Sequence, residues 1–206
     1  MAKPVKKINR GLILTLLVML GVVIYIISIT AVRSQYKKEI SKIAGDYVST
    51  VQTYSMLPTK YRSGAEKMPE KEFDSFVAEM KTKIGGYCTD NEEALNTILS
   101  GMEANLLSLK EGQCIVTEYE KAIKKLSYEF IGDKVTVTLT CRNKYRGSEN
   151  LQSEDKAAAS SSADLTTLTR ETSDTIIFQK IDGSWKIVYA YLETPSVSQD
   201  TPYLFR

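Results

Sequence analysis

The chain has 206 residues and no histidine, which removes at once the usual neutral-pH proton shuttle and the commonest metal ligand. Cysteine is scarce: Cys88, Cys114 and Cys141 are odd in number and form no C-x-x-C redox or metal pattern. Cys88 and Cys114 flank a predicted helix and would be bridged in an oxidising compartment; three reduced, buried thiols fit the sequence as well. No Asn-x-Ser/Thr acceptor occurs, which agrees with a bacterial source. Basic and acidic residues number 27 and 25, for a net charge of +2, without the concentrated basic face of a nucleic-acid binder. Nucleic acid is therefore not an expected partner. Nor does any Ser/His/Asp set or phosphate-cradling glycine loop accompany the carboxylates, so no cofactor and no metal is expected.

One long apolar run is present. Residues 1–10 are basic, and Gly11 to Val32 carry no charge. Roughly 20 apolar residues suffice to cross a bilayer, so residues 11–32 are expected to be a transmembrane helix through which the protein is held in a membrane. A cleaved signal peptide competes with this reading, but its apolar core runs to only about 7 to 15 residues, and no small-x-small site precedes Arg33. Four basic residues precede the span (Lys3, Lys6, Lys7, Arg10) and four follow it (Arg33, Lys37, Lys38, Lys42). The positive-inside count ties, and a cytoplasmic N-terminus with an extracytoplasmic C-terminal domain rests on the shortness of the basic tail.

Residues 33–64 continue with helical spacing, Tyr36, Ile40, Ile43, Tyr47, Val51 and Tyr54, until Pro58 and the Ser63-Gly64 pair. This stripe suits packing on the protein's own sheet, with a dimer seam as the alternative. A second helix starts near Pro69 and presents Phe73, Phe76, Val77, Met80 and Ile84. A third follows a cap at Thr89 or Asp90, presents Ala94, Leu95, Ile98, Met102, Leu106 and Leu109, and ends at Gly112.

From about Cys114 the period falls to two. In Leu126 to Cys141, a type II′ turn at Gly132-Asp133 sets Phe130 opposite Val135, Tyr128 opposite Val137 and Leu126 opposite Leu139, with Glu129, Ser127 and Lys125 facing threonines on the wet side. In Ile177 to Ala190, a type I′ turn at Asp182-Gly183 sets Lys180 opposite Trp185, Phe178 opposite Ile187 and Ile176 opposite Tyr189. Trp185, the single tryptophan, is expected to close the end of the core, with the Lys180 stem beside its ring. Between the hairpins, residues 148–174 are rich in Ser, Thr and Ala without a period and read as a flexible insert, either solvated or ordered on a partner.

The expected fold is α+β: an N-terminal transmembrane helix, then three helices packed on an antiparallel sheet of two long hairpins, over a domain at residues 65–193 with a tail at 194–206. On "FIGDKVTVTL" and "IDGSWKIVYAYLE", the stretch from Cys114 to Leu192 resembles the NTF2-like (cystatin-like) superfold; the helices match it in order and length. That resemblance implies a cone between sheet and helices, for which Tyr128, Phe178, Trp185 and Tyr189 are the candidate lining residues. The superfold hosts enzymes, small-molecule binders and assembly modules. The His-Asp pair of its enzymes is excluded by composition, leaving Tyr128, Tyr189, Glu118 and Glu120 as weak catalytic material, so the chain is not expected to be an enzyme. The anchor joined to such a domain is similar in architecture to bitopic assembly proteins of type IV secretion and conjugation systems. It implies a scaffold in the cell membrane whose partners are other membrane or envelope proteins or a second copy. A small apolar ligand in the cone is the rival expectation.

Overall fold

A computed structural model describes residues 10–90, 92–112, 115–147 and 165–194. The chain divides into two units, residues 1–40 and 41–206. In the first unit the uncharged run is helical, and its large apolar side chains from Ile13 to Ile27 are 43 to 66 % exposed. This helix, α1, is unbroken over Arg10–Tyr54. It is long and apolar enough in its N-terminal part to cross a membrane. The membrane-proximal helix expected over residues 33–64 is thus the second half of α1, and it stops at Tyr54, ten residues early. Pro58 and a single 3-10 turn, Thr59–Tyr61, occupy the rest.

In the second unit, the remainder of α1 buries Ala44, Tyr47, Val48, Val51 and Tyr54, the i, i+3, i+4 stripe of a helix with one covered side. Helix α2, Glu70–Gly85, has Pro69 at its N-cap and buries Phe73, Val77, Met80 and Ile84. Pro69 lacks an N–H, a loss that costs nothing where the first helical amides have no partner. Helix α3, Glu92–Lys110, buries Ile98, Leu99, Met102, Leu106 and Leu109 and is followed by Gly112 at φ +71°, the left-handed stop that glycine takes without strain. Tyr54 stacks obliquely on Phe76 with ring centroids 5.3 Å apart, and Tyr47 meets Tyr87 edge-on at 5.8 Å. These contacts join α1 to α2 and to the turn beyond it.

Four strands follow: β1 Val116–Ile131, β2 Lys134–Gly147, β3 Thr166–Ile181 and β4 Ser184–Tyr191. They form one antiparallel sheet in the order β1-β2-β3-β4, each strand beside its neighbour in sequence. Part of the expected 148–174 insert is therefore strand: Thr166 to Asp174 pair with Gly147 to Leu139. β-Branched residues stand at only four of those nine positions, Thr166, Thr167, Thr169 and Thr172, and Arg, Glu, Ser and Asp interrupt the alternation. Residues 148–164 lie outside the described residues, as do 1–9 and 195–206.

The first hairpin has the expected register, Phe130 to Val135, Tyr128 to Val137 and Leu126 to Leu139, with Gly132 at φ +59°. The second has positive φ at both turn residues, Asp182 at 49° and Gly183 at 82°, as a type I′ turn requires. Lys180 faces Trp185 and Phe178 faces Ile187, but then the register slips: Ile177 pairs with Tyr189, and Ile176 with Ala190. Val188 is the extra residue of a β-bulge, and beyond a bulge each side chain changes face. A second slip, between Ile123 and Lys125, does the same to β1. The outer edge of β4 is covered in part by Tyr87–Thr89, through Ile187 N–H to Tyr87 O at 2.9 Å and Thr89 N–H to Ile187 O at 3.0 Å.

Candidate functional site

The inner face of the sheet is graded from apolar to polar. At the turn end lie Val135, Val137, Ile176, Phe178 and Ile187, all buried. Trp185 closes that end at 8 % exposure, with Lys180 Nζ 5.8 Å from its ring centroid. Tyr128 sits one row further along, half-buried, and its hydroxyl is hydrogen-bonded to Ser41 Oγ of α1. Three of the four candidate cone-lining residues, Tyr128, Phe178 and Trp185, thus share the inner face. Tyr189 does not. The Val188 bulge turns it to the other face, where it is 37 % exposed, and Ala190 takes the core position. A cleft of about 10 Å³ lies between Tyr47, Val51, Ile98, Met102, Ala190 and Leu192, and one of about 20 Å³ beside Tyr61 and Arg62. Neither holds more than a water, and neither is lined by the four candidates.

At the opposite end the same face carries Lys121, Asn143, Thr172 and Asp174, all buried. Lys121 of β1 and Asp174 of β3 form an ion pair with both side chains 0 % exposed. Lys121 Nζ also donates to the Glu193 carbonyl at 2.8 Å, and Asp174 Oδ1 accepts from the Glu193 N–H at 3.2 Å. The Tyr119 hydroxyl donates to the same carbonyl at 3.2 Å. Gln52 Oε1 of α1 accepts from the Lys121 backbone N–H at 3.0 Å, satisfying an edge-strand donor. Beside the pair, Asn143 Nδ2 donates to Thr172 Oγ1 at 3.1 Å. The chain leaving β4 is therefore held at Glu193 through both of its peptide groups. Arg170, 3.1 Å from the Glu193 carboxylate, adds an ion pair at the rim.

Burial here is severe enough to move acid groups. It pushes the Cys141 thiol up to about 12, with Lys121 lowering it and Asp174 raising it. Tyr119 is raised far above its ordinary range, first by burial and then by Asp174. Cys88, under the α2 end, is pushed up to about 11 by burial, against a lowering by Lys186. Both are free, buried thiols held in the unreactive protonated form at neutral pH. For the expected Cys88–Cys114 bridge, Cys114 lies outside the described residues. No cluster of three His, Cys, Asp or Glu side chains able to hold a metal occurs among the described residues.

Sequence reasoning missed Lys121 and Asp174. Counting back in twos from Leu126 puts Lys124, Ala122 and Glu120 on the core side; the bulge at Lys124 reverses that and brings in Tyr119 and Lys121. Asp174 falls at the end of the stretch that reads as an insert, residues 148–174. The one signal available was the alternation Thr172, Asp174, Ile176, Phe178, which places a carboxylate in line with a core stripe.

No family model matches the chain, and no curated protein sequence matches it.

Proposed function

We propose that the protein is a single-pass membrane protein whose second unit is an NTF2-like domain acting outside the cytoplasm as a non-catalytic interaction or assembly module. The observation that carries this reading is the helix of exposed apolar side chains from Ile13 to Val32, a surface that water does not support and a bilayer does. The order of elements, helices first and then an antiparallel meander, supports the NTF2-like comparison. The filled inner face supports an interaction role over a cone ligand: Phe178, Ile176 and Val137 are each 0 % exposed, whereas ligand pockets commonly enclose about 300 Å³ or more. Partners are other envelope proteins or a second copy, met through surfaces such as the outer face of the sheet, where Ser127, Glu129 and Tyr189 are exposed.

Site-specific photocrosslinking in living cells tests this. A crosslinker at Ser127, Thr138 or Tyr189 should give discrete protein adducts from the membrane fraction. Absence of adducts at all three positions, with the protein folded and membrane-embedded, would count against an interaction module. Recovery of the protein from the soluble fraction would remove the anchor itself.

A further inference from the structure

The Lys121–Asp174 pair differs from the exposed ion pairs of this protein. Lys60–Glu66 and Lys81–Glu103 are between 43 and 61 % exposed, so water solvates both partners. Lys121 and Asp174 are fully enclosed, come from strands that β2 separates, and meet at Asp174 Oδ2, an oxygen that makes no aligned hydrogen bond. The Glu193 peptide groups bracket them, its carbonyl holding Nζ and its N–H holding Oδ1. An amine nitrogen is thereby positioned beside a carboxyl group whose other oxygen already has a donor.

We propose that Lys121 and Asp174 condense with each other to form an isopeptide bond that ties β1 to β3. The ammonium first passes a proton to Oδ2, leaving an amine and a carboxylic acid. The Nζ lone pair attacks Cγ, the N–C bond forms, and the negative charge moves to Oδ1, where the Glu193 N–H stabilises it as a preformed oxyanion donor. Collapse breaks the Cγ–Oδ2 bond. The departing hydroxyl takes a further proton from nitrogen and leaves as water. One ammonium and one carboxylate are consumed, one amide and one water are formed, and no atom changes oxidation state.

Three features of the site favour the forward direction. Holding the reactants together replaces an encounter between dilute groups by a high effective concentration. Burial also penalises the two ions and not the neutral amide, so the product escapes a desolvation cost that the ion pair carries. Water is excluded from the site, which disfavours return by hydrolysis.

Intact-mass spectrometry of the purified full-length protein, denatured before measurement, tests the proposal. The mass should fall below that of the sequence by one water, and a tryptic digest should contain one branched species joining the β1 and β3 peptides, with no cleavage after Lys121. A Lys121→Arg variant keeps the cation without the nucleophilic amine and should return to its full sequence mass. An Asp174→Asn variant should lose ammonia instead of water and reach the same final mass as the wild-type protein. A wild-type chain at full mass, with separate β1 and β3 peptides, overturns the inference. So does a Lys121→Arg chain that still lacks one water, because the loss would then lie elsewhere. None of these readings depends on the membrane or partner assignment.

Discussion

The two ends of the sheet's inner face are built from the same strands and yet obey different physics. At the turn end, Val135, Ile176, Phe178, Trp185 and Ile187 exclude water by shape, and neighbouring apolar residues of similar volume would serve nearly as well. At the far end, Lys121, Asn143, Thr172 and Asp174 exclude water from groups that would otherwise be solvated. Burial there is stabilising only while each partner is present. The apolar end tolerates repacking, whereas the polar end specifies one arrangement of β1, β3 and the Glu193 segment.

The largest expected effect tests the polar end. Lys121→Met leaves the Asp174 carboxylate buried without its cation and should cost about 3 to 5 kcal/mol, read as a drop in the chemical-denaturation midpoint in detergent. Adding Asp174→Leu should recover the part of that loss that comes from the uncompensated charge, since an apolar pair of similar volume removes it, and not the part that comes from the lost covalent tie. A double variant no better than the single one would show that the uncompensated buried charge is not the source of the effect. At the apolar end, Trp185→Ala should cost about 3 kcal/mol, the low side for a large aromatic because the ring lies at the margin of the core.

The pH dependence separates the ends further. The Cys141 thiol is raised from its ordinary 9.0 to about 12. Its contribution to stability is therefore complete below about pH 9 and is lost as pH rises toward 12, because the unfolded chain ionises first. Tyr119, raised in the same direction, adds to the alkaline fall. Melting temperatures measured from pH 8 to 11 should decline, and the Cys141→Ala and Tyr119→Phe variants should each flatten that decline. Tyr119→Phe at neutral pH should cost about 1 kcal/mol, the usual net value of one hydrogen bond. The smallest effect belongs to the outer face. Tyr189→Ser should change stability by less than about 0.5 kcal/mol; a loss of several times that value would mean that Tyr189 is a core residue after all.

Sequence reasoning read the apolar end far better than the polar end, and the reason lies in the two bulges. Before Val188, the pairing of Trp185 and Ile187 followed from counting away from the Asp182-Gly183 turn; after it, Tyr189 and Ala190 exchanged faces. Before Lys124, counted back from the Gly132 turn, Leu126 to Phe130 fell into place; after it, Lys121 replaced Glu120 on the inner side. Alternation is a local rule that propagates error once a residue is inserted, because a shift of one reverses every later side chain. The helices were more legible. A buried stripe spans about 100° or more of a helix, so small errors of phase leave Val51, Met80 or Leu106 on the correct side. The sequence puts the end of this helix later than Tyr54 because Pro58, the visible breaker, lies four residues beyond the last helical residue.

The strand order carries a consequence for biosynthesis. Each strand pairs with the next one in the chain, so each hairpin closes from neighbouring sequence, the kind of contact that forms fast. The helices have no such advantage. α1, α2 and α3 leave the ribosome before any strand exists to cover them, and β4, which supplies Trp185, Ile187 and Ala190 to the core, arrives last. A nascent chain stalled before Ser184 would present Tyr47 and Met102, which meet at a cleft that Ala190 also lines, with their cover incomplete. The core thus closes only when β4, Ser184–Tyr191, is added to the sheet.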